Sequence, residues 1–308
     1  MIYTTVFSTV IMMFIYMACG FALVKTKLAL TDHLKTLSSV LLYVCTPCMV
    51  INSFQSMEYS MENFKNICMF MAASLMIQLL FFAILYFIFR KKFSDGRFRI
   101  LALAAPLGNV GYFGMYLMDA IFPDNAEAVC YSMAYVITMN ILIYTVGKYL
   151  ITTDKKYVSV KNAILNPTVL SGIVAVALYL LKIEFPSFLS SAVSAVASMT
   201  TPLCMIILGM RLAAMSFKRI FTNGFAYIVS AIKLIIFPLF AYACVVFLPF
   251  FDETFKVSMF ALSAAPSAAI ILSMAEFHGC EQELCANVLL MTTLLCVITL
   301  PLMCMIVV

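Results

Sequence analysis

The sequence predicts an all-α integral membrane protein of ten transmembrane helices, arranged as two inverted five-helix repeats whose fourth and ninth helices are broken. Three observations lead there. Hydrophobic residues make up 65% of the 308 and charged residues 11%, with a mean hydropathy of +1.08, more apolar than a soluble core of this size requires. The apolar residues fall into ten runs, each near the roughly 20 residues that cross a bilayer as helix. Short motifs of the first half recur, in order, in the second.

The first run, Tyr3–Val24, has no basic segment before it and the chain stays apolar after it, so it reads as a span and not as a signal peptide. The second, Leu34–Phe54, carries Thr46-Pro47, a kink signal. The third, Phe64–Phe89, holds Gln78 among apolar neighbours. The fourth, Phe98–Phe122, contains Pro106, Gly108, Asn109, Gly111 and Gly114 where a plain anchor would use leucine. Proline removes a donor and clashes with the preceding turn, so the helix breaks near Pro106. In lipid such a break persists only where it is buried in protein or lines a cavity.

Ala126–Ile151 and Val160–Leu181 form the fifth and sixth runs, and Phe188–Leu212, with Thr201-Pro202, the seventh. Ile220–Phe247 carries Lys233 deep in an apolar stretch. Phe255–Phe277 has a second interrupting proline, Pro266, and Leu284–Val307 closes the chain. The connections are too short for soluble modules. Residues 1–151 are therefore the first repeat, 152–161 a short cytoplasmic linker and 162–308 the second repeat.

Fifteen of the nineteen Lys and Arg residues lie in alternate loops: Lys25, Lys27 and Lys35; Arg90, Lys91, Lys92, Arg97 and Arg99; Lys148, Lys155, Lys156 and Lys161; Arg211, Lys218 and Arg219. By the positive-inside rule these loops are cytoplasmic and both termini extracytoplasmic. The loop Glu276–Glu283 lacks Lys and Arg and follows by parity. The net charge of +5 is explained by membrane flanks and calls for no nucleic acid. Eleven scattered cysteines have neither zinc-site nor disulfide spacing, and read as small apolar residues.

Thr46-Pro47-Cys48-Met49-Val50-Ile51 returns 155 residues later as Thr201-Pro202-Leu203-Cys204-Met205-Ile206. Ile77-Gln78-Leu79-Leu80-Phe81-Phe82 returns at the same offset as Ile232-Lys233-Leu234-Ile235-Ile236-Phe237, which pairs Gln78 with Lys233. Leu103-Ala104-Ala105-Pro106 answers Ser263-Ala264-Ala265-Pro266. An odd number of spans per repeat turns the second half upside down. Inverted repeats with corresponding broken helices characterise secondary transporters, whose sites lie near the midplane where the breaks meet.

Several of these residues together resemble one family: Asn109 and glycines after Pro106, Asn166-Pro167, Thr201-Pro202 followed by Leu208-Gly209-Met210-Arg211-Leu212, Lys233-Leu234 followed by Pro238, and Ala265-Pro266. The chain is similar over nearly its whole length to the auxin efflux carrier family, whose bacterial members carry malate, malonate and similar carboxylates. The resemblance implies the fold shared with bile-acid sodium symporters: a scaffold of helices 1, 2, 6 and 7, and a transport domain of helices 3–5 and 8–10, with the fourth and ninth crossing at their prolines. The long hydrophilic loop of many plant exporters is replaced by Thr152–Lys161, which argues against auxin as substrate.

Two half-helix N-termini meeting at the midplane would attract an anion, so the expected site comprises Pro106, Gly108, Asn109, Gly111, Pro266 and Ser267. Asn109 offers an amide donor to substrate, or a cap to the second half-helix. Ser267 binds substrate or its own backbone. Asn140 contacts substrate or a neighbouring helix; the resemblance to plant exporters places a fifth-span asparagine near the carboxylate. Thr46 and Thr201 kink the facing helices and line the cavity. Lys233 is a counter-ion or coupling cation, or a structural tether, and Gln78 suggests that its position wants hydrogen bonds more than charge. Glu276 and His278 read as a solvated helix end, with a pH-sensing pair as the alternative.

The expected function is secondary active transport of a small organic anion by alternating access, in a plasma or inner membrane. Sodium-coupled symport of larger amphipathic anions is the alternative within transport, and a membrane sensor the alternative outside it. No catalytic set, no metal-ligand spacing and no cofactor motif occurs. The expected partners are the substrate anion, the lipid bilayer, a coupling sodium or proton, and, left open, a second copy of the chain.

Overall fold

A computed structural model describes residues 2–123, 125–154, 156, 161, 164–214 and 223–307. Asp124, Lys155, Lys218 and Arg219 lie outside the described residues, as do the expected starts of the sixth and eighth spans at Val160 and Ile220. Among the described residues the chain is helical throughout, with a single isolated antiparallel bridge, Gly108 to Ser267, instead of strands.

Helices occupy each of the ten apolar stretches. In order they are α1 (Ile2–Lys25), α2 (His33–Gln55) and α3 (Met61–Phe89). The fourth stretch is divided into α4 (Gly96–Ala104) and α5, which opens with a π-helical turn, Val110–Gly114, and continues as Met115–Ile121. Then come α6 (Ala126–Thr152), α7 (Pro167–Leu180), α8 (Ser187–Ala214) and α9 (Gly224–Val246). The ninth stretch is again divided, into α10 (Glu253–Ser263) and α11 (Ala269–His278), and α12 is Gln282–Val307.

Seven of these helices, α1, α2, α3, α6, α8, α9 and α12, are long and apolar enough to cross a membrane unbroken. The remaining three expected spans are the two interrupted stretches and α7, whose 14 described residues rise only about 21 Å at 1.5 Å each.

Polar residues set most helix starts. The side chains of Ser60, Asp95, Asn125, Asn166, Asn223 and Asp252 each accept a backbone N–H of the first turn of α3, α4, α6, α7, α9 and α10. Pro167, in the first turn of α7, fits because an N–H there has no intrahelical partner. The starts of α5 and α11, inside the protein, carry no side-chain cap.

Two groups of helices emerge from the packing. In one, α1 lies along the second half of α8, while α7 and the first half of α8 pack on the second half of α2. In the other, α3 packs on α6, α6 on α10, the last part of α9 on α10, and α11 on α12. The rings of Phe70, Tyr131 and Phe255 join α3, α6 and α10, with Phe70 and Tyr131 stacked at 4.4 Å. The groups meet where α1 touches α5 and α12, and where α2 and α7 touch α6.

The α1–α8 contact depends on two glycines. A Cβ on Gly20 would run into the carbonyl of Ile206, and one on Gly209 into the carbonyl of Met17. Such backbone proximity lets dispersion replace the hydrophobic drive that lipid does not supply. Gly209→Ala is accordingly expected to cost about 1–3 kcal/mol, the range for overpacking. Gly224→Ala, where a Cβ meets nothing within 4 Å, is expected to be neutral or slightly stabilising. Thermal unfolding of the purified detergent-solubilised variants, with size-exclusion profiles, measures the difference.

Candidate functional site

The two interruptions lie against each other. Residues 105–109 leave helix after Ala104, and residues 264–268 after Ser263. Asn109 N–H donates to the Pro266 carbonyl at 2.7 Å, and Ala268 N–H donates to the Leu107 carbonyl at 3.0 Å. These two bonds make the Gly108–Ser267 bridge. Each break thus satisfies backbone groups of the other, as a low-dielectric surrounding demands.

The crossing has two chemically different ends. Where α4 and α10 stop, free carbonyls predominate. Ser267 Oγ donates to the Ala104 carbonyl at 3.1 Å, and its N–H donates to Thr292 Oγ1 at 3.2 Å. Ser267 therefore holds the end of α4: its hydroxyl bonds the backbone of the facing break, where the sequence alternative had it bond its own helix. Lys233 Nζ, with the side chain fully buried, donates to the Ser263 carbonyl at 3.0 Å and lies 4.8 Å from the centre of the Phe237 ring. Among the described residues no carboxylate pairs with it. A cation at helix C-termini is favourably placed, and this geometry is that of the tether. It lies close behind the cavity-lining Gly108 nonetheless, since a Cβ there would lie 3.2 Å from Nζ.

Where α5 and α11 start, backbone N–H groups predominate and a cavity of about 70 Å³ opens. Gly108, Asn109 and Gly111 line it from one break, Ala268 and Ala269 from the other, and Thr46 and Asn140 from the facing helices. No Lys or Arg lines it. Asn109 is 4% exposed, and its side-chain Nδ2 is buried with no hydrogen-bond partner. It makes no capping bond to α5, so the capping alternative is not realised. A buried amide donor without an acceptor costs about 1–3 kcal/mol. That cost is recovered when an acceptor enters.

The other expected residues distribute as follows. Asn140 lines the cavity and spends its Nδ2 on the Val136 carbonyl at 2.9 Å. Thr46 lines it too, its hydroxyl donating across the π-helical turn Leu41–Cys45 to the Leu41 carbonyl at 2.7 Å. Pro106 and Pro266 are buried within the breaks. Thr201 lies in a separate vestibule of about 550 Å³ that shares Met49 with the cavity. Gln78 is removed from the cavity and pins α3 to α6 through Thr138 Oγ1 at 3.0 Å.

Two polar cavity residues were absent from the expected site: Asn166 and Thr168, at the start of α7. Asn166 Oδ1 accepts the Thr168 N–H at 2.9 Å and its Nδ2 donates to the Tyr144 hydroxyl at 3.2 Å. Asn-Pro reads in sequence as a helix start, which it is, and only the tertiary arrangement turns that start toward the crossing. On the far side a vestibule of about 1390 Å³ shares Leu42 with the cavity. The cavity thus stands between two larger openings.

Residues 5–304 match the family model described as "Membrane transport protein". No curated protein matches the chain.

The tether geometry of Lys233 gives a graded expectation. Lys233→Met leaves the Ser263 carbonyl without its donor and is expected to destabilise by about 1–3 kcal/mol. Lys233→Gln, which borrows the residue of its repeat mate, keeps a donor and is expected to lose less than half as much. Thermal unfolding in detergent reads both; equal losses would mean that the charge itself holds the crossing.

Proposed function

Since the chain belongs to the membrane transport protein family, the auxin efflux carrier family, and is a multi-pass membrane transporter, we propose that it is a secondary active carrier of small organic anions, with malate and malonate as representative carboxylates. The observation that carries this reading is the unpartnered Nδ2 of buried Asn109, a residue that lines a cavity of about 70 Å³ beside two uncapped helix starts. Unpaired N–H groups and helix-dipole ends attract an anion. Because no Arg or Lys touches the cavity, the anion is held by neutral donors and leaves again easily. Asn140, Gly111 and Thr46 shape the same space. A space this small supports a compact carboxylate over a bulky amphipathic anion.

In this reading α1, α2, α7 and α8 are the scaffold, and α3–α6 with α9–α12 the transport domain. Residues 1–151 and 162–308 are inverted repeats joined by a cytoplasmic linker at 152–161, with both termini outside a plasma or inner membrane. Rocking of one group against the other exposes the cavity alternately to the two vestibules. Lys233 and Ser267 hold the crossing rigid while it moves. The coupling ion in this reading is sodium or a proton.

Proteoliposomes loaded or challenged with malate, malonate and other carboxylates, with and without sodium or proton gradients, test the proposal. Wild-type protein is expected to give saturable, gradient- or counter-substrate-dependent flux. Asn109→Ala is expected to lower flux at subsaturating substrate about 10–100-fold, the worth of a hydrogen bond to a charged group. Cys48→Ala is expected to leave it within about twofold. Folded protein without flux of any anion contradicts the proposal.

A further inference from the structure

Near the larger vestibule, Arg211 in the last turn of α8 faces Glu276 of α11. These helices belong to different packing groups, α8 lying on α1 and α11 on α12. The closest approach, Arg211 Nη1 to Glu276 Oε1, is 3.6 Å, too long for a hydrogen bond. Nη1 is buried and has no hydrogen-bond partner at all. The guanidinium side chain is 20% exposed, while that of Glu276 is 50% exposed. The same vestibule is lined by Asn287, 2% exposed, whose Oδ1 also lacks a partner. Ser273 and Lys35 line it as well, and Leu42 joins it to the cavity at the crossing.

A guanidinium presents five donors in a fork that fits a carboxylate bidentately. Here the fork is under-used: its carboxylate neighbour stands at ion-pair range without bonding, and that neighbour is half in solvent. Releasing an exposed partner costs little, because exposed ion pairs contribute little to stability. A mobile carboxylate that engages the fork properly gains charge-assisted hydrogen bonds that Glu276 does not make.

We infer that Arg211 is a second carboxylate-binding station, at which an anion passing between the large vestibule and the crossing displaces Glu276 from the guanidinium. This inference rests on the anion-carrier reading and extends it to a residue outside the crossing. Asn287 Oδ1 can accept from a hydroxyl of the passing molecule, and the Ser273 hydroxyl can donate to its second carboxylate. Glu276 returns to Arg211 once the anion moves on, so the station is self-clearing. The pair also bridges the two helix groups, and anion binding therefore loosens a contact that opposes their relative movement.

Equilibrium binding of radiolabelled malonate to the purified full chain in detergent tests this. Wild-type protein is expected to bind in two classes. Arg211→Gln is expected to remove one class and leave the Asn109-dependent one; Asn109→Ala is expected to do the reverse. Glu276→Gln, which takes away the competing carboxylate, is expected to tighten the Arg211-dependent class about tenfold. This variant alone decides the matter if Arg211→Gln does not fold, as judged by its melting profile. Binding unchanged in Arg211→Gln, no malonate binding at all, or Glu276→Gln weakening the site, as a purely structural latch would, overturns the inference. Wild-type protein that shows the Arg211-dependent class but none sensitive to Asn109→Ala refutes the crossing site and leaves Arg211 standing.

Discussion

Two backbone hydrogen bonds, Asn109 N–H to the Pro266 carbonyl and Ala268 N–H to the Leu107 carbonyl, are the constraint on which the rest of this structure depends. An interrupted helix among apolar neighbours has no water to satisfy its freed groups. Each interruption here finds its partners in the other, so neither is tolerable alone. The pairing explains why two prolines, 160 residues apart in sequence, are buried at the same place, and why Lys233 and Ser267 are spent on the nearby carbonyls.

The crossing consequently separates charge by geometry. Carbonyl-bearing ends of α4 and α10 are neutralised by an ammonium and a hydroxyl, while the N–H-bearing starts of α5 and α11 are left without side-chain caps beside a cavity. Ser, Asp and Asn side chains cap six other helix starts, while those of α2 and α8 are uncapped too but lie away from the crossing. In the proposed function the uncapped starts of α5 and α11 receive the anion, and Asn109, whose amide Nδ2 reaches no protein acceptor, extends the same donor surface. The cation lies behind Gly108, outside the cavity lining.

Much of this was legible in the sequence because it is local chemistry. Apolar runs marked helices to within a few residues, Pro106 and Pro266 marked the breaks, and the Gln78–Lys233 correspondence pointed to hydrogen bonding at a buried position. What was not legible depends on partners far away in the chain. Ser267 finds the Ala104 carbonyl 163 residues away, and nothing near either residue announces it. Asn166 looked like a helix start and is one; its turn toward the cavity is set by the packing of α7. Arg211 was read as a loop charge because its neighbour Glu276 lies 65 residues further along the chain, on another helix. The π-helical turns at Leu41–Cys45, Val110–Gly114, Ile143–Gly147 and Ile232–Ile236 also escaped, since no residue type encodes them and a one-residue bulge leaves hydrophobic patterning almost unchanged.

The central claim is that an anion occupies the space between the starts of α5 and α11 and takes a hydrogen bond from Asn109. The most direct measurement is an experimental density map of the protein with malonate bound. The account predicts carboxylate density within about 3 Å of Asn109 Nδ2, the ordinary range for such bonds, and against the first N–H groups of α11. Anion density elsewhere with this cavity empty, or an Asn109 amide that donates to a protein carbonyl in the bound state, would contradict it.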